Sequence, residues 1–367
     1  AITLNGAINA GPAPVTIQAN TDGAGAESLT MAAGSSITTA NTGAGAVAIN
    51  VNAGAGGTGA ATVRDISTGP GGGITVRTDT GGNLTGGTIS HASGSLLSDG
   101  LLLSSPNGVS LSGLVNAGVG PVTIAANTDG VGAQAVTMAA ASTITTTNTS
   151  ANAVAINVNA GGGGTGGAAL GGITTGSGAT ITVATNTGGN TTGGSITRAG
   201  GALDTGAGSV VLTTPTTGTS GVGTSAARIQ TTSSSVTATA GTGGIFITET
   251  DGASFQATAA GAGQVNLAST AGTLTIAGAP STGSGGWNLG PGGVLPEGAR
   301  PLSQAKHVPS AIATSPPGKP PRKRTRPPGL ESPRRTGRVR VYRRPVAGRG
   351  TKSPTTAATM APFVTWA

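Results

Sequence analysis

The chain has 367 residues, of which 68 are glycine, 8% are charged and none is cysteine. A globular domain usually carries about 25% charged residues, and without cysteine a disulfide framework and a thiolate metal site are both excluded. The formal net charge of +8 hides a split. Residues 1 to 286 hold four basic side chains (Arg64, Arg77, Arg198 and Arg228) and nine acidic ones, whereas residues 287 to 367 hold fifteen basic and two acidic, Glu297 and Glu331. A body of net −5 is therefore joined to a tail of net +13.

From the first residue the pattern is that of strands. The chain begins at Ala1 inside the alternating run "AITLNGAINAG", and we expect a fragment or a processed form. Longer runs follow at a near-regular beat, at Val15 (VTIQAN), Val47 (VAINVN), Ile74 (ITVRTD) and Leu101 (LLLSSPN). The next begins at Val122. Secondary runs lie between them: "SLTMAA", "SSITTA", "GTISHA" and "VSLSGLV". Each alternates apolar residues with Thr, Ser or Asn, the period-2 signature of a strand with one buried face. Glycine-rich punctuation such as "NTDG", "GAGG" and "TGGN" separates them, which predicts tight turns. No stretch carries a helical apolar period, and no apolar run approaches the roughly 18 residues of a spanning helix.

Nearly the same nine residues appear twice, as "VTIQANTDG" from Val15 and "VTIAANTDG" from Val122. Residues 1 to 90 align without a gap on residues 108 to 197, and 57 of the 90 positions are identical. A long copy without gaps implies that register matters. From Ser209 the pattern loosens through "SVVLTT", "GIFITETDG" and "TLTIAG", and "APSTGSGG" marks a boundary. The expected organisation is one long repeat over 1–107, a second over 108–215, a degenerate unit over 216–278 and a Pro/Arg-rich tail over 279–367. That tail is expected to be disordered by composition. Its Pro, Arg, Gly and Ala content also matches what a shifted reading frame of GC-rich DNA would encode.

Short strands at a regular beat leave two all-β architectures, an array of β-sandwiches or a parallel β-helix (β-solenoid). Sandwich domains usually carry an aromatic core anchor, yet residues 1 to 286 contain only Phe246 and Phe255. A solenoid fills a narrow interior with Val, Ile, Leu and Ala, so it is the expected fold. Ten to twelve coils about 4.8 Å apart would give a rod of roughly 50 to 60 Å.

Rungs such as "VAINVNAGAGGTG" and "ITVATNTGGNTTGGSI" resemble the β-strand-repeat proteins of bacterial surfaces, which include autotransporter passenger regions and filamentous-haemagglutinin-like exoproteins. The resemblance spans roughly residues 1 to 278. It implies a right-handed parallel β-helix, export to the outside or the outer surface of the cell, and an adhesive or structural role. It brings no catalytic residues with it. The chain shows neither a membrane β-barrel nor a recognisable secretion domain.

Among single residues, Asp22 and Asp129 of the two "NTDG" turns are the weak candidates for metal ligands. A calcium-binding β-roll needs an Asp in every short repeat, and here "GAGGTGAAT" and "GGGGTGGAA" carry the glycines without it. The competing reading, an Asp that bonds its own turn backbone, is preferred. Other charges are not copied: Glu27 aligns with Gln134, Arg64 with Gly171, Asp65 with Gly172, Arg77 with Ala184 and Asp79 with Asn186. His91 aligns with Arg198 and is expected to be exposed; His307 is the other histidine. The glycine runs lack the Lys-Ser/Thr ending of a phosphate loop. Asn50 with Asn157, and Asn52 with Asn159, are candidates for amide ladders. Thr-x-Thr pieces such as "TITTTNT" are not expected to line up at every coil. In the tail, "KPPRKRTRPP" and "RRTGRVRVYRR" offer charge for weak polyanion binding, with Tyr342 and Trp366 to stack on bases.

The function expected from these readings is a non-enzymatic secreted or cell-surface repeat protein, adhesin-like or a spacer, with no cofactor and an unknown surface ligand. The alternatives are a β-helix enzyme acting on polysaccharide and polyanion binding by the tail.

Overall fold

The computed structural model describes residues 1–54, 56–277, 281–290 and 293–294. The described strands all lie within residues 1–307. Residues 281–290 and 293–294, expected as the start of the tail, instead carry the strands Ser281–Thr282, Trp287–Leu289 and Gly293–Val294 and pair with the coil before them; the rest of the expected tail, with His307, Tyr342 and Trp366, lies outside the described residues.

Every strand pairing among the described residues is parallel, and most strands pair with the strands three before and three after them. Hairpins and sandwiches require antiparallel neighbours, so the sandwich alternative falls. The fold is all-β, a long parallel sheet of many strands wound as a β-solenoid with three columns.

Among the described residues the first column contains twelve rungs, from Ile2–Leu4 through Leu29–Met31, Ala61–Val63 and Ile89–His91 to Trp287–Leu289. At about 4.8 Å per step these rungs cover roughly 50 Å. Coils differ in length. Ile2 stacks on Leu29, Leu29 on Ala61, Ala61 on Ile89 and Ile89 on Val109, so the second coil is the longest of the four and the fourth the shortest. The same series of steps then restarts, with Val109 on Val136, Val136 on Ala168 and Ala168 on Ile196. The long sequence copy is therefore four coils. Val15, Val47, Ile74, Leu101 and Val122 are successive rungs of the third column.

The three columns differ in how they use the period of two. A first-column strand points in-out-in, as in Leu29–Met31. A second-column strand points out-in-out, as in Thr143–Thr145. A third-column strand of five residues points in at both ends and the centre, as in Val47–Val51. Stacking then converts each inward position into a ladder of like residues. Ile37, Ile66, Leu96, Val115, Ile144 and Ile173 run up the second column, all 1% exposed or less. Ile49, Val76, Leu103, Ile124, Ile156 and Val183 run up the third. Burying each such side chain contributes roughly 1.5–3 kcal/mol. Phe255 takes the place of a smaller aliphatic residue, stacked between Val236 and Ile276, and is the largest fully buried side chain.

Because a first-column strand turns only its middle residue outward, those residues also stack. Thr3, Thr30, Thr62, Ser90, Ser110, Thr137, Ala169 and Thr197 form one outer file, a hydroxyl in seven of eight rungs. The file takes one residue per strand, so Thr-x-Thr pairs in the sequence do not mark it.

Excising residues 20–126 joins Ala19 to Asn127 and removes one four-coil period while keeping every ladder in register. The shortened protein is expected to keep the β-type circular dichroism per residue and a melting temperature within a few degrees of the parent. Loss of the β signal would contradict the coil assignment.

Candidate functional site

The third column turns into the first at a corner that is buried and polar. In eight successive coils it is occupied by Asn20, Asn52, Thr78, Ser105, Asn127, Asn159, Thr185 and Thr214, each 6% exposed or less. The four asparagines adopt positive φ, between 52° and 61°, a left-handed conformation that Asn tolerates better than other side chains with a Cβ. That conformation turns the chain out of the strand. The side chain remains inside to bond the backbone around it.

Asn52 shows how. Its Oδ1 accepts the Gly59 N–H at 2.9 Å, and its Nδ2 donates to the Gly59 carbonyl at 2.9 Å and the Thr78 carbonyl at 3.1 Å. The amide thus behaves as a missing strand residue and closes the loop at its base. Asn20 Nδ2 donates to Asn52 Oδ1 at 2.8 Å. Asn159 repeats the pattern on Gly166 and Thr185 and receives Asn127. Between them Thr78 Oγ1 bonds Ser105 Oγ and the Gly87 carbonyl. Gly59 must be glycine, since a Cβ there would overlap the Glu27 carbonyl. The expected ladder therefore exists with different members: Asn50 and Asn157 face outward, half-buried, while Asn52 and Asn159 pair with Asn20 and Asn127.

The loops held by this corner project along one edge and bond one another. In the first group Thr58 N–H donates to the Gly25 carbonyl at 2.8 Å, and Thr85 Oγ1 donates to the Gly57 carbonyl at 3.0 Å. In the second group Thr165 N–H reaches the Gly132 carbonyl and Thr192 Oγ1 the Gly164 carbonyl. The short turn at Ser105 to Gly108 separates the two. Beside the second group lies an open groove of about 700 Å³ whose walls, Thr165, Thr191 to Ser195 and Thr217 to Ser220, are Thr, Ser and Gly. Several of its hydroxyls are turned to the protein itself: Thr192 Oγ1 donates to the Gly164 carbonyl, Thr217 Oγ1 to the Thr191 carbonyl and Ser220 Oγ to the Pro215 carbonyl.

Asp22 and Asp129 lie on these loops, four coils apart. Asp22 Oδ1 accepts the Ala24 N–H at 3.2 Å, and Asp129 Oδ1 accepts the Val131 N–H at 3.0 Å, each closing its own turn. The two do not share a site.

His91 departs from its expected exposure. It is fully buried, stacked between Val63 and Leu111 at an inward position of the first column. Neither ring nitrogen has a hydrogen-bond partner, and Gly113 packs on the ring so closely that a Cβ there would overlap Cε1. The aligned Arg198 is half-buried because its long stem carries the guanidinium out to the Gly201 carbonyl and Gln230 Oε1. Exchange with arginine thus reported a residue able to snorkel, which imidazole cannot do. Burial lowers the His91 pKa below its ordinary 6.5, against the pull of nearby Asp65, while Arg64 adds to the lowering.

Glu249 is the second buried ionisable group, at 0% exposure. Thr231 Oγ1 donates to its Oε2, and the Ser233 N–H donates to its Oε1 at 3.1 Å. Burial pushes its pKa above the ordinary 4.5; Thr231 opposes this, and the neighbouring Asp251 carboxyl adds to it. The half-buried Arg228 staples adjacent coils through Thr248 Oγ1, Asn266 Oδ1 and the Asn266 carbonyl. Sequence reasoning missed both, although the period of two in Gly244–Glu249 places Glu249 on the same inward face as Ile245 and Ile247.

Comparison with known proteins yields no matching family model, no matching curated protein and no matching solved structure.

The two buried groups give opposite pH signatures. His91 is held neutral, so its contribution is constant above about pH 6.5 and is lost as pH falls below it, where the unfolded chain takes up a proton first. Burial disfavours the Glu249 carboxylate and raises its pKa, so its contribution is fully present below about pH 4.5 and declines as pH rises through the raised pKa. In denaturant melts, His91→Leu is expected to flatten the fall in stability below pH 6.5. Glu249→Gln is expected to raise stability at pH 7. A profile unchanged by either variant would show that these side chains are not buried as described.

Proposed function

We propose that the chain is a non-enzymatic repeat protein of the cell surface or the extracellular space, adhesin-like or a spacer, akin to the β-strand-repeat exoproteins it resembles. On this reading the coil is right-handed and the chain is exported. The observation that carries the reading is the parallel stack of twelve rungs among the described residues, in a chain whose residues 1 to 90 repeat as 108 to 197 without a gap, 57 of the 90 positions identical. Such a stack is quasi-one-dimensional, each coil bonding only its neighbours, and extends a surface along one direction with little charge.

The outward chemistry agrees. The hydroxyl file from Thr3 to Thr197 presents hydrogen-bonding groups on a regular backbone. Such surfaces suit many weak polar contacts rather than one polarised reaction centre. The nine carboxylates of residues 1 to 286 are spread over turns, outer faces and the interior, and Glu249, beside Asp251, is closed off from any substrate.

Antibody labelling of intact cells that make the protein tests this. Labelling without permeabilisation is expected. Signal that arises only after permeabilisation would overturn the surface assignment.

A further inference from the structure

We infer that the Gly113 turn is a lid over the His91 ring and that acid opens it, so that the solenoid carries a pH-sensitive joint where its two four-coil periods meet. The joint lies in the shortest coil of the first period, the step from Ile89 to Val109. His91 ends its first-column strand at an inward position and is wholly buried. Gly113 lies over it, in the turn that joins Val109–Leu111 to Leu114–Asn116. A Cβ on Gly113 would fall 2.6 Å from the ring Cε1 and 3.0 Å from Nε2. The residues on either side, Ser112 and Leu114, are exposed, so the cover over the imidazole is a single surface turn.

Two hydrogen bonds fasten that turn to the coil below. The Ser112 N–H donates to the His91 carbonyl at 2.9 Å, and the Leu114 N–H donates to the Gly94 carbonyl at 3.0 Å. Lifting the turn breaks these two bonds, a local opening of the kind that costs far less than unfolding the stack.

The drive to open is the unmet chemistry of the ring. Neither nitrogen is hydrogen-bonded, and an imidazolium would bring two N–H donors into a space walled by Val63 and Leu111. The adjoining strands Ala61–Val63 and Val109–Leu111 carry no charge. The charged groups that face the ring are Arg64 and Asp65. Arg64, bonded to the Met31 carbonyl at 3.0 Å and to Ser93 Oγ, opposes a second positive charge. Asp65 favours one, but its Oδ1 accepts the Ser95 N–H at 2.9 Å and it bonds neither ring nitrogen. The Ser93 backbone also favours the charged ring without bonding it, and burial outweighs both. Once the turn lifts, the ring titrates near its ordinary 6.5 and water meets both donors, so protonation selects the open form.

The second period lacks the device. Arg198 stands where His91 does, and its guanidinium already reaches the Gly201 carbonyl and Gln230 Oε1. A permanent charge that is already outside gives acid nothing to release.

Hydrogen exchange of the full chain, read by mass spectrometry at about pH 7.5 and about pH 5 and expressed as protection factors, tests this. Protection of residues 89–114 is expected to fall about tenfold or more at the lower pH, while residues 196–222 keep theirs. His91→Leu, which cannot charge, and His91→Arg, which copies the second period, are each verified as folded by circular dichroism. Both are expected to hold the protection of residues 89–114 constant between the two conditions. The inference is overturned if the parent shows no change over residues 89–114, if residues 196–222 lose as much, or if a folded His91→Leu chain opens in acid as the parent does.

Discussion

The side-chain amide of Asn52, bonded in both directions to the backbone of Gly59 and onward to the Thr78 carbonyl, is the contact on which the coil geometry turns. A parallel solenoid leaves its strands at each corner with backbone groups that no ladder can satisfy, and burying them unpaired would cost about 1–3 kcal/mol each. Asparagine solves two problems at one position. It accepts the positive φ that swings the chain outward, and its amide replaces the peptide that the turn removed. Thr78, Ser105, Thr185 and Thr214 do the second job without the first, and their coils leave the corner differently.

The corner also lets coil length vary without disturbing the core. The long coil from Leu29 to Ala61 and the short one from Ile89 to Val109 bring the same inward positions into register, because the surplus leaves through loops tied at the base. The apolar ladders are thereby insulated from what the loops do. The loops are then free to differ, Glu27 standing on the first where Gln134 stands on its copy. The exceptions inside the core, His91 and Glu249, lie where coils are short, from Ile89 to Val109 and from Ile245 to Val265.

Much of this was legible in the sequence, for a physical reason. The period of two survives because each inward residue meets its like in the next coil, so Val15, Val47, Ile74 and Leu101 read as rungs from the alternation alone. The corner was harder to read. Asn50 and Asn52 look alike in "VAINVN", and only the point where the strand ends decides that one faces out and the other in. His91 misled because substitution by Arg198 signals exposure only if the side chain cannot snorkel. Asp22 was legible as a turn residue, and it closes its own turn on the Ala24 N–H.

The most direct test of the corner's role is the stability of Asn52→Ala and Asn159→Ala, with Asn50→Ala as the control on the outer face. Chemical denaturation is expected to show a loss of about 2–3 kcal/mol for each corner variant. The control is expected to stay within about 0.5 kcal/mol of the parent. Corner variants as stable as the control would mean that the amides do not hold the coils, which would contradict the dependence of the whole stack on them.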